Sequence, residues 1–491
     1  MMTESIDKVV IVGGGTAGWM AAAALSRTIP SLTITLIESD KIGTIGVGEA
    51  TIPTMQFFNG LLGIDPIEFV KQTSGSYKLG INFENWHQQG EQYFHAFGET
   101  GRSLWAAGFH NFWTKAQQLG MTSKFSEFNL EASAALSNKF TKQPKGLNYA
   151  YHIDAGKYAK LLRNLAESNG VRRIEGMVDR VNHDPDTGFI RSVDVDGAVV
   201  EGDLFIDCSG FKSLLLGESL DTEFVDWSHW LLCDRAIAVQ TKSDEPPRPY
   251  TRSIANHAGW QWRIPLQHRM GNGIVYCSKY MSDEEAEQLL LSSVSGETIT
   301  KPLKIRFKTG HREKLWSKNC VAIGLSGGFI EPLESTAIHL IQQGILKLIK
   351  LFPSRGINAI EVDQYNKSMI HDYDQIKDFI VLHYKATQRD DSEFWRRCRD
   401  MAIPQSLAQR LNMFEETGQF ILGHDELFVD SWLQVMIGQG VVPKQYHRVV
   451  DEMSEAELQQ FLSSMQHKLV NDVARMTSHQ EFIDKHCKAT M

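Results

Sequence analysis

The sequence predicts an α/β protein whose parallel sheet is divided by inserted segments. Residues 8–38 contain, in order, an apolar run, a glycine-rich turn, a helical pattern and a second strand. A later apolar strand within residues 199–211 ends on Asp-x-Ser-Gly, and another at 321–323 leads into a glycine loop. Strands that end on such loops at the carboxyl edge of a sheet are typical of doubly wound α/β folds. The order predicts one sheet that is interrupted and then resumed.

The turn within residues 8–38 carries Gly13, Gly15 and Gly18 at the spacing G-x-G-x-x-G. In this arrangement the first glycine permits a tight turn, the second lets a pyrophosphate approach the backbone, and the third lets helix pack against strand. The N-terminus of the helix turns its N–H groups toward the phosphates. Glu38 ends the second strand twenty residues after Gly18, where an acid accepts hydrogen bonds from a ribose. The pattern predicts a bound dinucleotide and leaves FAD and NAD as alternatives.

The length and the composition limit the class of protein. A chain of 491 residues is too long for one simple core, so we expect two or three lobes. Its net charge of −9 is spread without long runs, which argues against nucleic acid or an anionic membrane as a partner. No apolar run is long enough to span a membrane, and no signal peptide precedes the first strand. Six scattered cysteines without a C-x-x-C pair indicate a cytoplasmic protein without a structural metal site.

A glycine-rich loop follows Glu38. It carries Gly43, Gly46 and Gly48 and continues into Glu49 and Ala50. So many glycines let the backbone approach a planar ligand, although the composition alone also fits a surface loop.

Another glycine loop, around Gly324 and Gly328, leads into the sequence EPLEST. An amphipathic helix starts there, with Ser335 or Thr336 as its N-cap. The amides just after the cap are free and make a natural anion site. Glu334 beside such a site is unusual for structure alone, while an acid that favours the helix dipole is the simpler alternative.

Residues 76–84 alternate between apolar and other side chains, which predicts a half-buried strand. Lys78 falls on the face opposite Tyr77 and Leu79. A solvated lysine is the simpler interpretation, because lysines are rarely buried. The residues alone therefore assign no function to Lys78.

Aromatic residues are concentrated in residues 86–113, and most of them must belong to a core. His95 and Phe97 share one side of an extended segment, so they can stack on a flat substrate, and core packing explains them equally well. Trp260 and Trp262 have the same spacing and form a ridge on one face of a strand. For this second pair the residues alone indicate only a core.

Taken together, these motifs resemble those of the flavin-dependent tryptophan halogenase family. They are GGGTAGWM (13–20), GVGEATIP (46–53), the Lys78 strand, GWQWRIP (259–265) and GGFIEPLEST (327–336). The resemblance runs from Val9 to about residue 445, and G-x-W-x-W-x-I-P distinguishes this family from ordinary flavin monooxygenases. It implies FAD rather than NAD.

The resemblance implies a two-component enzyme. A separate flavin reductase supplies FAD as FADH2, O2 is consumed, and a halide, chloride or bromide, held near Thr336 and Ala337 becomes hypohalous acid. The acid passes through a tunnel to Lys78, which hydrogen-bonds it or forms a haloamine. Glu334 would lie near Lys78 and polarise the electrophile or assist loss of the ring proton, and Ser335 would link the two sites.

The resemblance also assigns the other site residues. Those that would hold FAD are Gly13, Gly15, Thr16, Ala17, Gly18, Glu38, Gly48, Glu49, Ala50, Gly324 and Gly328. The ridge that would keep the substrate off the flavin consists of Trp260, Trp262, Ile264 and Pro265. The substrate would contact His95, Phe97 and Trp432.

One segment departs from the family pattern. Halogenases of free tryptophan have an Asn/Tyr-rich segment with Phe-Trp near the C-terminus that holds the amino acid. Here the corresponding region reads SWLQVMIGQG, without those polar groups, although His95 and Phe97 are kept. We therefore expect indole, a substituted indole, another electron-rich aromatic compound or a larger molecule as the substrate, rather than free tryptophan.

The expected organisation is a split Rossmann-like FAD-binding domain with an inserted β-sheet substrate region and a helical C-terminal subdomain. The FAD-binding module spans residues 1–360, with insertions at about 76–145 and 225–310, and residues 361–491 complete the substrate site. The expected partners are the flavin reductase and a small aromatic molecule, and a homodimer is left open.

Two other functions are alternatives. A flavin-dependent aromatic hydroxylase would share the FAD turn but would need neither Lys78 with Glu334 nor the ridge of Trp260 and Trp262. A non-catalytic flavoprotein would explain the fold and would leave the lysine and the anion site without a task. Products formed with and without bromide distinguish the hydroxylase from a halogenase.

Overall fold

The computed structural model describes residues 5–42, 48–142, 146–421 and 427–490. Its strands are, in chain order, β1 (Lys8–Val12), β2 (Thr33–Glu38), β3 (Glu49–Ala50), β4 (Ser76–Lys78), β5 (Gly80–Glu84), β6 (Gln92–Ala96), β7 (Lys139–Phe140), β8 (Ala150–Ile153), β9 (Arg172–Glu175), β10 (Val178–His183), β11 (Ile190–Val195), β12 (Ala198–Glu201), β13 (Leu204–Asp207), β14 (Phe224–Asp226), β15 (Arg235–Lys242), β16 (Thr251–Asn256), β17 (Gly259–Pro265), β18 (Arg269–Tyr276), β19 (Leu303–Arg306), β20 (Gly310–Arg312), β21 (Trp316–Ser317), β22 (Cys320–Ala322), β23 (Gly328–Phe329) and β24 (Thr477–Ser478).

The α-helices are, in chain order, α1 (Thr16–Thr28), α2 (Thr54–Leu62), α3 (Pro66–Gln72), α4 (Phe109–Gln118), α5 (Leu130–Leu136), α6 (Ala155–Ser168), α7 (Asp283–Ser293), α8 (Ala337–Lys350), α9 (Ala359–Lys385), α10 (Glu393–Asp400), α11 (Gln405–Thr417), α12 (Ser431–Gly438), α13 (Glu455–Ala474) and α14 (His479–His486). Short 3₁₀ turns at Gly324–Ser326 and Pro332–Glu334 precede α8. Among the described helices, none is long and apolar enough to cross a membrane.

The chain folds into two compact units, and each unit is built from three segments. The first unit contains Met1–Thr73, Ile153–Leu231 and Arg306–Asp374, and the second contains Ser74–His152, Leu232–Ile305 and Gln375–Met491.

The first unit contains a six-stranded sheet in the order β21-β22-β13-β1-β2-β9. β1 pairs in parallel with β13 on one side and β2 on the other. β13 continues in parallel to β22, and β21 is the antiparallel strand at that end. Because β13 and β22 follow long insertions and still lie beside β1, the predicted interrupted α/β sheet is confirmed. Val9 to Val12 are buried on both faces, as expected for a central parallel strand that is covered by helices.

The second unit contains a seven-stranded sheet in the order β19-β15-β18-β17-β16-β5-β6. Its pairs are antiparallel from β15 to β16, whereas β16 and β5 run in parallel. Outside this sheet, β4 pairs with β8, with Ser76 opposite His152 and Lys78 opposite Ala150. The strand predicted for the tryptophan ridge is therefore confirmed as β17, which lies in one sheet with β15 and is separated from it by β18.

The prediction of one half-buried strand at 76–84 is wrong in two respects. The segment is divided into β4 and β5, because Leu79 turns its backbone N–H to the carbonyl of Pro249 instead of to a neighbouring strand. Both faces are also covered, so every residue from Ser76 to Phe83 is buried and Lys78 is 0% exposed. The solvated lysine expected from the sequence is therefore a buried one.

Helices dominate the chain from residue 359 onward, as the sequence predicts. Pro404 precedes α11, where its missing N–H costs no helical hydrogen bond. Gly418 ends the same helix in the left-handed conformation with φ of 69°. Pro404 and Gly418 thus mark the two ends of α11.

His479 attaches the last helix of the second unit to β4. Its Nδ1 lies 2.7 Å from the carbonyl oxygen of Pro247, so this nitrogen must carry the proton and donate. Its Nε2 then has a free lone pair, which accepts the backbone N–H of Tyr77 at 3.2 Å. A second proton, on Nε2, would point at the backbone N–H of Tyr77, which is itself a donor. Burial lowers the pKa of His479 from 6.5 to about 4, so the ring is neutral at pH 7.

We expect the free energy of unfolding to fall as the pH is lowered, in part because of His479. Between pH 6.5 and about 4 the unfolded chain binds a proton that the native ring excludes, so this contribution is complete above pH 6.5 and is lost on acidification. It amounts to roughly 3 kcal/mol. Urea unfolding across this range should give a flatter pH dependence for His479→Asn than for the wild type. Parallel curves for the two proteins would contradict this assignment.

Candidate active site

The glycine-rich turn after β1 has the geometry that its spacing predicts. Gly13 has φ of +113°, and a Cβ there would lie 2.2 Å from the carbonyl oxygen of Cys208. A Cβ on Gly18 would lie 1.9 Å from the carbonyl oxygen of Gly13, so this glycine is required for helix to pack on strand. A Cβ on Gly15 would meet nothing within 4 Å. Two of the three glycines thus serve the fold, and the third borders open space at the start of α1.

The N-terminus of α1 is not capped by a side chain. Gly15 is the N-cap residue, so Thr16 and Ala17 begin the helix with their amides unanswered by any cap side chain. Gly324, in the 3₁₀ turn after β22, has φ of +81° and approaches Ala17 so closely that a Cβ would lie 3.0 Å from the Ala17 Cβ. Predicted cofactor residues from two distant parts of the sequence are therefore neighbours at the carboxyl end of the sheet.

Glu38 lies beside this turn and is held by charged neighbours. A Cβ on Gly14 would lie 1.6 Å from Glu38 Oε2, which fixes the carboxylate against the turn. Its Oε1 accepts a hydrogen bond from Arg173 Nε at 2.5 Å, and Oε2 is 3.4 Å from Trp19 Nε1. The expected contact with a ribose stays a prediction. The sequence did not reveal Arg173, because it reaches Glu38 from the neighbouring strand β9, 135 residues further along the chain.

The remaining predicted cofactor residues fall into three groups. Gly48 has φ of +93° and leads directly into Glu49 and Ala50, which form β3, whereas Gly43 and Gly46 lie outside the described residues. Gly324 lies beside α1. Gly328 packs against β20, where a Cβ would lie 2.6 Å from the carbonyl oxygen of Gly310, so its lack of a side chain is explained by strand pairing.

The strand ending on Asp207 uses that carboxylate for its own loop. Asp207 is 0% exposed and accepts hydrogen bonds from the backbone amides of Ser209, Leu215 and Leu216. It is therefore a structural anchor of the loop after β13.

The segment before α8 places buried polar side chains at the start of the helix. Glu334 ends a 3₁₀ turn and is 1% exposed, and Ser335 adopts a left-handed conformation with φ of 60°. Thr336 is the N-cap residue, as predicted, but its helical φ and ψ of −90° and −8° prevent its hydroxyl from capping. The Thr336 hydroxyl is buried and has no hydrogen-bond partner among the described residues. The helix N-terminus at Ala337 thus has no side-chain cap, and the Thr336 hydroxyl beside it has no hydrogen-bond partner among the described residues.

His339 lies one turn further along α8 and was missed by the sequence analysis. Its Nδ1 is 3.0 Å from the hydroxyl of Thr54, which itself donates to Gln342 Oε1 at 3.1 Å. His339 Nδ1 must therefore donate, and Nε2 carries the lone pair. Burial lowers the pKa of His339 from 6.5 to about 4, so it adds no positive charge near Thr336 at neutral pH. The position of His339, three residues after the predicted N-cap Thr336, is the sequence feature that could have indicated it.

In the second unit, Lys78 lies against the predicted aromatic platform. Its Nζ is 5.2 Å from the centre of the Phe97 ring, within range of a cation–π interaction. His95 and Phe97 contact each other edge to face, with centroids 6.4 Å apart. Lys78, His95 and Phe97 are therefore one cluster, contributed by β4 and by the end of β6.

Phe379 of α9 extends this cluster to Trp432. Its ring centre is 5.8 Å from that of His95 and 4.9 Å from that of Trp432. Arg410 lies over the Trp432 ring, with its guanidinium carbon 4.3 Å from the ring centre. Phe379 was not predicted, although Phe379 and His383 recur at helical spacing and contact each other.

The predicted tryptophan ridge lies on β17. Trp260 and Trp262 are 1% and 6% exposed, and their ring centres are 6.1 Å apart. Trp262 lies across Gly273 of β18, where a Cβ would be 2.0 Å from its ring. Ile264 and Pro265 complete the strand and are buried.

The region expected to lack an amino-acid clamp forms α12. Its Gln434 is buried, and the side-chain oxygen accepts the backbone N–H of Ala96 at 2.8 Å. The Gln434 amide nitrogen donates to the carbonyls of Ala96 and Gly98. The polar atoms of the Gln434 side chain are thus already hydrogen-bonded to the backbone at the end of β6.

The candidate residues are distributed over both units. The glycine turn, Glu38 and the run Glu334–Ala337 belong to the first unit, and Lys78, the aromatic cluster and the tryptophan ridge belong to the second. Among the described residues, no group of three or more histidine, cysteine or acidic side chains is arranged to hold a metal ion.

Comparison with known proteins identifies the family. A model of the tryptophan halogenase family matches residues 8–455. The chain belongs to this family. The curated relative tryptophan 7-halogenase RebH from Lentzea aerocolonigenes is 34% identical over 90% of this chain and 91% of its own. Tryptophan 6-halogenase SttH from Streptomyces toxytricini is 35% identical over the same shares.

Solved structures of halogenases have the same fold. Xcc4156, a flavin-dependent halogenase from Xanthomonas campestris, is similar over 99% of both chains with a TM-score of 0.98 and 47% identity. BrvH, a flavin-dependent halogenase from Brevundimonas sp. BAL3, is similar over 98% of this chain and 99% of its own, with a TM-score of 0.94 and 42% identity. The protein is thus a flavin-dependent halogenase, and the resemblance drawn from the motifs is confirmed.

Two substitutions in the glycine turn separate its structural and binding roles. Gly15→Ala places a methyl group in open space at an ordinary φ, so the fold should be unchanged while FAD binds about tenfold more weakly. Gly13→Ala meets a carbonyl at a left-handed φ and should lower the Tm. Thermal unfolding and flavin titration measure both effects. Unchanged FAD affinity in Gly15→Ala would contradict a pyrophosphate at this position.

Proposed function

We propose that this halogenase uses reduced FAD, O2 and chloride or bromide to halogenate an electron-rich aromatic compound of the indole type, through hypohalous acid that is guided by Lys78. A separate flavin reductase supplies FADH2. We retain the organisation predicted from the sequence, with an FAD-binding module in residues 1–360 and a helical C-terminal subdomain in residues 361–491. The observation that carries the proposal is the burial of Lys78 against an aromatic cluster in a flavin-dependent halogenase.

The glycine turn supports FAD as the cofactor. The open space beside Gly15 and the uncapped amides of Thr16 and Ala17 suit a pyrophosphate, which a helix N-terminus attracts. Glu38 is positioned by Gly14 and Arg173 for a ribose. When bound in reduced form, FAD would supply two of the four electrons that reduce O2, and the halide would supply the other two as it is oxidised to hypohalous acid.

The N-terminus of α8 supports a halide site. The Thr336 hydroxyl lacks a partner among the described residues, and the amide of Ala337 follows it without a side-chain cap. A monovalent anion can accept hydrogen bonds from both donors, and the helix dipole favours its negative charge. The neutral state of His339 leaves hydroxyl and amide as the groups that would hold it.

The surroundings of Lys78 suit it to direct hypohalous acid to the aromatic substrate. Burial excludes water from the ammonium, and the Phe97 ring stabilises it without neutralising it. In the proposed step the aromatic ring attacks the halogen of hypohalous acid, and the oxygen–halogen bond breaks. The ammonium of Lys78 donates a proton to the departing hydroxide, which leaves as water.

Glu334 and Ser335 complete the proposed chemistry. The Glu334 carboxylate polarises the electrophile or accepts the proton that the ring loses. When the ring proton passes to the Lys78 amine, directly or by way of Glu334, the ammonium is restored, and one aromatic molecule and one hypohalous acid give one halogenated product and water. Ser335, held in a left-handed conformation, connects Glu334 to the halide residues. The ridge of Trp260, Trp262, Ile264 and Pro265 keeps the aromatic substrate away from the flavin.

The substrate assignment is supported by α12. Because Gln434 is bonded to the backbone of Ala96 and Gly98, it is not available to hold the ammonium or carboxylate of an amino acid. His95, Phe97 and Trp432 provide flat apolar surfaces for a ring. An indole without an amino-acid group is the substrate class that fits.

Lys78→Met should abolish halogenation while the protein still folds and binds FAD. The substitution keeps the bulk of the side chain and removes its nitrogen, so halogenated product should fall by at least roughly a hundredfold, or about 2.7 kcal/mol in the barrier. Product is measured by halogen isotope pattern in an assay with reductase, FAD, NADH and bromide. Glu334→Gln should lower activity less completely.

A second buried lysine provides a matched control for this experiment. Lys115 is buried in the second unit and donates to the carbonyls of Val450 and Met453. Lys115→Met should affect the Tm and leave product per reduced flavin unchanged. Near-normal halogenation by Lys78→Met, with the same regiochemistry, would overturn the proposed role of Lys78.

Indole should be halogenated faster than free tryptophan, because no amino-acid clamp is available on α12. Parallel rates with the same reductase and bromide test this preference. Equal or faster turnover of tryptophan would show that another part of the chain holds the amino acid. A hydroxylated product formed equally with and without bromide would favour the aromatic hydroxylase.

A further inference from the structure

The short strand that carries Lys78 is bonded to other parts of the second unit along its whole length. The carbonyl of Ser74 accepts the backbone N–H of Gln267, and the carbonyl of Gly75 accepts the Gln267 side-chain amide at 2.8 Å. At the other end, Leu79 donates to Pro249 at 2.8 Å. Most of these contacts come from the turn that directly follows GWQWRIP. The position of Lys78 therefore depends on how β4 is attached to the end of β17.

Ser76 makes the attachment in the middle of the strand. Its hydroxyl lies 2.7 Å from the carbonyl oxygen of Pro265, the last residue of β17. The same hydroxyl lies 3.0 Å from His152 Nδ1. Because a carbonyl has no proton to give, the single hydroxyl proton of Ser76 must point to Pro265. The proton in the bond to His152 must then come from the histidine.

This requirement fixes the tautomer of His152. Nδ1 carries the proton and donates to Ser76, so Nε2 carries the lone pair. The hydroxyl of Thr251, on β16, lies 2.9 Å from Nε2 and donates to it. The result is an ordered chain of three hydrogen bonds, Thr251 to His152 to Ser76 to Pro265, with every proton assigned.

The chain of hydrogen bonds lies on the same side of β4 as Lys78. Ser76 and Lys78 are two residues apart, and His152 pairs directly with Ser76 across β4 and β8. Ser76, Lys78 and His152 are all fully buried. Burial, followed by the charge of Lys78, lowers the pKa of His152 well below 6.5. A neutral His152 adds no second positive charge beside the ammonium.

We propose that His152 is a positioning residue for halogenation: through Ser76 it sets the place of Lys78 relative to the strand that bears Trp260 and Trp262. This inference rests on the proposed role of Lys78. If the chain of hydrogen bonds is broken, β4 is free to shift against β17, and the ammonium no longer meets the electrophile in the required place. A displacement of about 1 Å at a reacting group can cost up to roughly a hundredfold in rate.

Four variants test the proposal on the full-length protein with FAD. His152→Leu and Ser76→Ala remove the bond between the two side chains, whereas His152→Asn keeps an N–H donor close to the position of Nδ1. The aromatic compound with the highest turnover in an indole screen serves as the substrate, with bromide. Halogenated product per reduced flavin consumed, the ratio of regioisomers and oxidant captured by an added β-diketone are measured.

We expect product per reduced flavin to fall about tenfold in His152→Leu and Ser76→Ala, with a corresponding rise in captured oxidant and unchanged flavin consumption. His152→Asn should recover most of the product. The fourth variant, Phe112→Leu, removes part of a fully buried ring that contacts Phe461 in the same unit. It should lower the Tm without changing the yield or the ratio of regioisomers.

The outcomes distinguish this inference from the function on which it rests. Full yield and wild-type regioisomers in His152→Leu and Ser76→Ala, with activity lost in Lys78→Met, would overturn the role of His152 alone. An equal loss in Phe112→Leu and no recovery in His152→Asn would reduce the effect to general stability and would also overturn it. Wild-type activity in Lys78→Met would overturn the proposed function itself.

Discussion

A lysine ammonium placed out of reach of water must recover its lost solvation from the protein, and the centre of the second unit is arranged around that requirement. Lys78 faces the ring of Phe97, and its strand is attached to neighbouring chain along its whole length. The histidines beside that strand, His152 and His479, are neutral, because each has one nitrogen that donates and one that accepts. Neither ring therefore adds a second positive charge beside Lys78. A fixed charge in a dry setting can act on a reactive electrophile without losing it to water.

The first unit handles charge in a different way. Its helix α6 begins with Asp154, whose side chain accepts the amide of Lys157 and so answers the helix terminus from within the protein. The two helices at the predicted ligand positions, α1 and α8, begin with Gly15 and Thr336 and have no side-chain cap. These positive ends are the positions at which we propose that anions bind. A pyrophosphate and a halide are both anions, so the same local device suits two unrelated ligands.

The parts of the site that were predictable from the sequence are those determined by local spacing. Gly13, Gly15 and Gly18 have conformations and close contacts that follow from their order, and Thr336 occupies the N-cap position suggested by the sequence EPLEST. The burial of Lys78 was not predictable. Its covering groups come from positions that are far apart in the chain, such as Phe97 and Pro249. The alternation of apolar and polar residues in 76–84 indicates which side chains share a face of the strand. It does not show that other parts of the chain cover both faces.

Contacts between distant elements also explain the other omissions. Arg173 reaches Glu38 from the neighbouring strand β9, which is distant in the sequence. Phe379 joins His95 to Trp432 from a helix almost three hundred residues further along than His95. The resemblance to a known family supplied roles for single residues, but not the side chains that hold them. Ser76 and His152 are examples, since neither residue type is unusual in a buried strand until the bonding partners are known.

Gln434 has a further consequence, which concerns solubility. β6 is the last strand of its sheet, and the Gln434 amide bonds to both the N–H and the carbonyl of Ala96, as the backbone of another strand would. The side chain thus occupies hydrogen-bonding positions through which a foreign chain could add to the sheet edge. α12 also carries Trp432, an obvious position to vary in a search for new substrates. Variants that shift α12 to enlarge the space around Trp432 would uncover this edge, so changes in substrate range and a tendency to aggregate should arise together.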